Sequence, residues 1–275
     1  METGPGNRLA SGLRSNEEGS INTSADRIAA SYADAIKVLC AVTPKGWYAE
    51  RGTATAAVTQ AGVASLNVAY DTTLEPDLGS LDKLAVEVGR QAEHWSIMVR
   101  GEADDEVRDL AARHGLLSRS ALPLLACTAG DVVFRAGTTR RESIRQVRAA
   151  EAGLYTDTLT RGFEAPEDAF GSLMGGGVLD ADPVAGYLAE ESGRPVGTGL
   201  GLRTHGVLGV FNIAVLPAAR GRGVGRAITE AVLRDGIAAG AEAAYLHPSA
   251  MGRPLYEAMG FRLVENWTIF QAIMD

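Results

Sequence analysis

Several things are scarce in this chain, and each scarcity excludes something. Cys40 and Cys127 are the only cysteines in 275 residues, too few and too far apart for a disulfide framework or a cysteine-ligated zinc cluster; both are expected as buried neutral thiols, and no metal site is expected. Lysine occurs only as Lys37, Lys45 and Lys83, and arginine supplies the rest of the positive charge. With 34 acidic against 26 basic residues the net charge is -8. Such a chain is not attracted at long range to nucleic acid or to an anionic membrane, so neither is expected as a partner. No apolar run approaches the roughly 20 residues that a spanning helix needs, and the opening METGPGNRLASGLRSNEEGS lacks the apolar stretch of a signal peptide. A cytoplasmic, soluble protein with a flexible tail over residues 1–20 is the resulting expectation.

What is present reads as an ordinary globular composition, 46% hydrophobic and 22% charged, long enough for one large or two ordinary domains. From residue 131 the signals come in order. DVVFRAG reads as a short strand. TTRRESIRQVRAAEAGLYTD reads as a helix, opened by a capping box at Thr139 and Glu142 and carrying Ile144, Val147 and Leu154 at helical spacing. PEDAFGSLMGGGV reads as a short helix stopped by glycines. Three extended runs between Val184 and Leu216, broken at EESGRP and RTHG, form an antiparallel meander. An amphipathic helix, a strand, a helix ending at Gly260 and closing strand material complete the chain.

The first half repeats this register. Sliding it by 145 lays residues 51–70 on 196–215 without a gap, matching Gly52 with Gly197, Thr53 with Thr198, Thr59 with Thr204, Asn67 with Asn212 and Ala69 with Ala214. The same offset pairs Leu110 with Leu255 and Gly115 with Gly260. Two copies of one α/β module are expected, the first without its opening strand and helix.

Between the meander and the following helix lies RGRGVG, Arg220 to Gly225, with Arg226 next. A strand, a basic glycine loop and a helix start bring unpaired backbone N–H groups and a positive helix terminus to one point, which is an anion site. Two familiar phosphate motifs do not fit. A dinucleotide fingerprint would need glycine where Arg226 stands, and no Gly-Lys-Ser/Thr tripeptide occurs.

NIAVLPAARGRGVGRAI resembles the acyl-CoA-binding motif of the GNAT superfamily of acyl-CoA-dependent N-acyltransferases, Arg/Gln-x-x-Gly-x-Gly/Ala after a strand, filled here by Arg220, Gly223 and Gly225. SAMGRPLYEAMGF is similar to the family's later block, with Tyr256, Gly260 and Phe261 in place, Ser249 for the usual asparagine and Gly252 for the usual alanine. The resemblance implies an α/β fold of two such modules in tandem, a central mixed and mostly antiparallel sheet flanked by helices. A degenerate, cofactor-free domain would span 21–130 and a catalytic domain 131–275. It implies acetyl-CoA as cosubstrate. Ala214 and Val215 would meet the pantetheine arm, the amides of Gly221, Arg222, Gly223, Val224, Gly225 and Arg226 would hold the pyrophosphate with Arg220 at the rim, and Ser249 would touch the arm or thioester.

Transfer of an acyl group to an amine needs a neutral amine, a polarised carbonyl and a proton for the departing thiolate. Tyr256 is the candidate proton donor, at the place where the family's motif puts it beside the sulfur. His247 is the candidate base, since its ordinary pKa of about 6.5 suits a base near neutrality. Asn212 could position a water or the acceptor, or merely satisfy a sheet irregularity, and His205 is expected in solvent. The acceptor, an amine with a small molecule expected, would be framed by residues 155–170, where Asp157, Glu164, Glu167 and Asp168 are acidic. In the first copy the loop becomes Glu75, Pro76, Asp77, Leu78 and Ser80, and Tyr256 becomes Ala111, so no cofactor is expected there. Monomer and homodimer both remain open, and a non-catalytic CoA-binding sensor is the alternative to an N-acetyltransferase.

Overall fold

The computed structural model describes residues 15–135 and 144–273. In chain order the first half runs α1 (Ser15–Val42), β1 (Trp47–Arg51), β2 (Ala54–Val58), β3 (Asn67–Asp71), α2 (Leu78–Gln91), β4 (Ser96–Val99), α3 (Asp105–Arg113) and β5 (Ser118–Thr128). The second runs β6 (Ile144–Val147), α4 (Ala152–Phe163), β7 (Val184–Glu191), β8 (Arg194–Thr204), β9 (Val207–Val215), α5 (Val224–Ala238), β10 (Ala243–Leu246), α6 (Arg253–Glu257) and β11 (Arg262–Gln271).

Strand periodicity assigns the helices to faces. In β4, Ile97 and Val99 pack with α2 and α3, while Met98 packs with α1. In β9, Leu208 and Val210 pack with α5, while Val207 packs with α1. One face of the sheet therefore carries α2, α3, α5 and α6, and the other carries α1 and α4. The sheet is mixed and mostly antiparallel, the parallel pairs being β3–β4 and β9–β10.

Its order is β1-β2-β3-β4-β11-β5-β10-β9-β8-β7-β6. Each half follows the succession of three strands, helix, strand, helix, strand, and each gives its last strand to the other. β5 pairs antiparallel with β10 of the second half, and β11 with β4 of the first. The two exchanged strands lie side by side from Arg262↔Ala126 to Gln271↔Ser118. A boundary between 130 and 131 thus separates the halves along the chain but not within the sheet.

Several expectations change. Residues 15–20, expected in the tail, begin α1; residues 1–14 lie outside the described residues. The first half does have an opening helix, α1, which docks on the second half through Ser31 Oγ and Thr204 Oγ1 (2.7 Å) and through Arg27 Nη2 donating to the His205 carbonyl (2.9 Å). His205 is not simply solvated, for its Nε2 meets the Asp34 carboxylate of α1. Residues 132–135 form no strand. The capping box at Thr139 and Glu142 lies outside the described residues, but Ile144 and Val147 sit in β6, which pairs with β7 at the sheet edge, and the helix starts only at Ala152. PEDAFGSLMGGGV forms turns instead of a helix, with Phe170, Leu173 and Met174 buried against α1 and α4.

The gapless offset holds where it links β3 with β9, α2 with α5, α3 with α6 and β5 with β11. It fails in the hairpins. Gly52 occupies the β1–β2 turn at φ 56°, whereas Gly197 lies inside β8. The β8–β9 turn is only His205 and Gly206, both at positive φ.

Candidate active site

β9 and β10 diverge, and the site grows from that divergence. They pair only at Ala243↔Val207, Ala244↔Leu208 and Tyr245↔Gly209, while β9 stays paired with β8 as far as Val215. The β9 edge beyond Val210 is therefore open toward β10, with backbone groups available to an extended ligand. A register shift opposite Thr198 and Leu200 accompanies this opening, and Asn212 sits in it at φ 53°, a torsion that few non-glycine residues adopt. The Asn212 amide nitrogen lies 3.7 Å from the Met174 sulfur, its side chain also interacts with the Tyr155 hydroxyl, and Thr198 Oγ1 donates to its backbone carbonyl at 2.8 Å. Asn212 thus holds the sheet irregularity.

Past β9, Gly221 and Gly223 take φ of 72° and 84°, and a Cβ on either would meet no protein atom within 4 Å. The loop needs glycine for its torsions, and the space in front of it is open. Gly223 is the N-cap of α5, and Ala227 is the first amide to bond back, to the Gly223 carbonyl at 3.0 Å. Helix geometry leaves the N–H groups of Val224, Gly225 and Arg226 without intrahelical partners, and the helix dipole adds positive potential at that end.

These elements enclose a cavity of about 650 Å³. Of the residues expected to bind a cofactor, Ala214, Val215, Arg220, Gly221, Gly223, Val224, Gly225, Arg226 and Ser249 all line it, and Tyr256 does too. Arg222 does not; its guanidinium pairs with Glu191 at 2.7 Å. The guanidinium groups of the other two arginines are likewise bound to protein acceptors. Arg226 is buried, with Nε on Glu230 (3.0 Å) and Nη2 donating to the Val133 carbonyl (2.6 Å), and so pins the segment before residue 136. Arg220 donates from Nε to the Val215 carbonyl (3.1 Å) and from Nη2 to the Gly162 carbonyl (2.8 Å), and its Nη1 pairs with Glu164 (2.7 Å). The Ser249 hydroxyl accepts from the Gly252 amide at 3.1 Å, opening the turn into α6.

Tyr256 is 7% exposed, and burial pushes its phenol up to about 12, so it is a neutral O–H across the neutral range. His247 lies elsewhere than a base requires. Its Nδ1 donates to the Pro123 carbonyl at 2.9 Å, which leaves the lone pair on Nε2; that atom is buried without a partner, and the ring is edge-on to Tyr32 and Trp267 at centroid distances of 5.4 and 5.3 Å. Burial pushes its pKa down to about 4. His247 is absent from the cavity lining, and a base so acidic in its protonated form holds an amine proton poorly.

The C-terminal end of α4, from Gly162 to Glu164, forms a wall of the cavity that no motif announces. Contact is closest at Gly162, where a Cβ would stand 2.8 Å from that of Ala214. Exposed Phe163 and Met251 stand at the rim. Asp157 and Glu167 line a separate cavity along α4, of about 680 Å³, which shares none of its lining with the first. Both cysteines are buried and free, with thiols raised to about 12 by burial. No group of three or more metal-ligating side chains occurs among the described residues, and no helix among them is long and apolar enough to cross a membrane.

Residues 183–263 match a family model described as an acetyltransferase (GNAT) domain. Among solved structures, a GCN5-related N-acetyltransferase from Kribbella flavida superposes with a TM-score of 0.62 at 18% identity, over 91% of this chain and 96% of that one. A functionally unknown conserved protein from Staphylococcus epidermidis gives 0.56 at 13% identity, over 82% and 93%. A GCN5-related N-acetyltransferase from Sphaerobacter thermophilus gives 0.50 at 16%, over 81% of each chain. These likenesses are of fold, and the first spans both halves. No curated protein matches the chain.

Proposed function

We propose that the chain is an acyl-CoA-dependent N-acyltransferase that moves an acetyl group from acetyl-CoA to a primary amine by direct transfer, using one site per chain, a reading supported by the match of residues 183–263 to an acetyltransferase (GNAT) domain. The observation that supports this reading is the shared cavity, which the end of β9, the start of α5 and Tyr256 all line. Those groups fit the cosubstrate. The edge at Ala214 and Val215 offers strand-like hydrogen bonds to an amide-bearing arm, and the amides from Gly221 to Arg226 suit a diphosphate.

In the transfer, the amine lone pair would attack the thioester carbonyl to form the amide C–N bond, the C–S bond would break, and Tyr256 would give its proton to the departing sulfur and regain one from water. The surplus proton of the amine leaves to water, because His247 is sealed among Tyr32 and Trp267 and is not assigned the base. The acceptor is expected to be a small amine.

The first half has its own anion where a diphosphate would otherwise sit. Asp71, 1% exposed, accepts from Thr53 Oγ1 (2.6 Å), Thr73 Oγ1 (2.6 Å), Thr73 N (2.9 Å) and Asp77 N (3.0 Å), and the Asp77 side chain caps α2. This supports a first half that takes no cofactor and serves as scaffold for the second.

The test is release of free thiol from acetyl-CoA over a panel of amines. Wild-type protein should release thiol with at least one, and Tyr256→Phe should lower kcat by about 10²-fold. Tight binding of acetyl-CoA with no turnover on any amine would favour a sensor over an enzyme, a reading to which the missing base gives some footing. An unchanged kcat in Y256F would remove Tyr256 from the chemistry.

A further inference from the structure

A diphosphate site next to three arginines invites the assumption that the arginines bind phosphate. Arg220 is differently employed. Its three donor nitrogens are spread over the carbonyl of Val215 at the end of β9, the carbonyl of Gly162 in the last turn of α4, and the carboxylate of Glu164 just beyond that helix. All three acceptors line the same cavity as Arg220 itself. Glu164 is the C-cap of α4 at φ 54°, so the ion pair also holds the turn that ends the helix. The Gly162 carbonyl is one of the terminal carbonyls that an α-helix leaves unpaired, and a guanidinium there also complements the helix dipole. A planar fork with fixed donor directions can join two backbone carbonyls and a carboxylate at once; a lysine ammonium at the end of a flexible stem cannot keep those directions.

We propose that Arg220 is a positioning residue that braces the C-terminal end of α4 against the splayed end of β9, and so sets the width of the cofactor groove, keeping its ion pair with Glu164 when the groove is filled. This rests on the cofactor-groove reading given above and assigns the phosphate contacts to backbone amides alone. Its consequence is that a positive charge at position 220 does not suffice without the donor directions of the guanidinium fork. A phosphate ligand would show the reverse pattern, because lysine also binds phosphate well as a point charge.

The experiment is calorimetric titration of the full chain with coenzyme A, with melting temperatures measured in parallel. Arg220→Lys should weaken binding by about 10-fold, nearly as much as Arg220→Gln. Glu164→Gln should weaken it by about 3-fold, since the brace loses its charged partner. With a suitable amine acceptor, R220K should raise KM for acetyl-CoA and leave kcat at saturation within about 2-fold. Wild-type affinity in R220K would overturn the brace while the groove reading stands. Tighter binding by E164Q would also overturn it, because Glu164 would then compete with the diphosphate for Arg220, and this variant decides if R220K fails to fold. A wild-type chain that binds no coenzyme A would overturn the groove reading and the brace with it.

Discussion

Burial acts in opposite directions on the two titratable residues that the sequence singles out. For Tyr256 it favours the neutral phenol, the form that a proton donor must have, with a pKa near 12 against an ordinary 10. Ionisation of Tyr256 should therefore impose no fall in kcat up to about pH 10, and an alkaline limb that begins near pH 8 and vanishes in Y256F would contradict the role. For His247 burial favours the neutral imidazole, with a pKa near 4 against 6.5 when unfolded. A depressed folded pKa means that the unfolded chain takes up the proton first. The stability from keeping His247 neutral is whole above pH 6.5 and is lost as pH falls toward 4, a loss of order 3 kcal/mol for a group this enclosed. His247→Asn keeps an N–H donor for the Pro123 carbonyl but cannot become charged. Denaturation at pH 7 and pH 4.5 should show a smaller acid-side loss in H247N than in wild type, and equal losses would mean that other groups govern acid unfolding.

At the scale of elements, the loops before α2 and α5 are built on the same plan and filled differently. Before α5, glycines at positive φ leave open space in front of free amides. Before α2, the Asp71 carboxylate takes up two amides and two hydroxyls, so the loop is filled by the chain's own acceptor. Asp71→Ala would leave Thr53 Oγ1 and the amides of Thr73 and Asp77 without this acceptor, while the Thr73 hydroxyl keeps the Glu75 carbonyl at 2.9 Å, and urea denaturation should show a loss of about 3 kcal/mol, with coenzyme A binding by the second half changed far less. A neutral effect would mean that water satisfies these donors equally well. The α5 loop was legible in the sequence because its requirements are local: glycine torsions, a strand end and a helix start fall within a dozen residues. Tyr256 lies in α6 and lines the same cavity as that loop, a placement in keeping with the spacing of the motif that it fills. β6 was not legible, since Ile144 and Val147 stand three apart and imitate a helix, and their pairing with β7 depends on residues some 40 positions away. The turns at 166–177 misled similarly, because Phe170, Leu173 and Met174 have helical spacing but bury themselves against α1 and α4, from the opening parts of the first and second halves. The enclosure of His247 required Tyr32 and Trp267, which only the tertiary fold brings to it.

At the scale of the molecule, the exchange of β5 and β11 makes the two halves one sheet, and no sequence offset could reveal it, because a strand in its own half and a strand in the other half have the same residue pattern. The exchange bears directly on the site. β10, which leads to His247 and Ser249, takes its antiparallel partner from the first half, from Ala243↔Thr128 to Leu246↔Leu125, and α1 covers the face opposite α5. Without the first half, β10 would lose that partner and β11 would lose both its neighbours, β4 and β5, exposing Trp267, Ile269 and Phe270, which are each buried in the whole chain. Unpaired strand edges beside exposed apolar side chains invite association. Residues 131–275 expressed alone should therefore be insoluble or oligomeric and bind coenzyme A at least about 10-fold more weakly than the whole chain, while co-expression with residues 1–130 should restore a soluble one-to-one complex with near-native affinity. If the fragment by itself is monomeric and binds normally, β11 must be able to fold back beside β10, and the exchange would then be a feature of the joined chain that the site does not need.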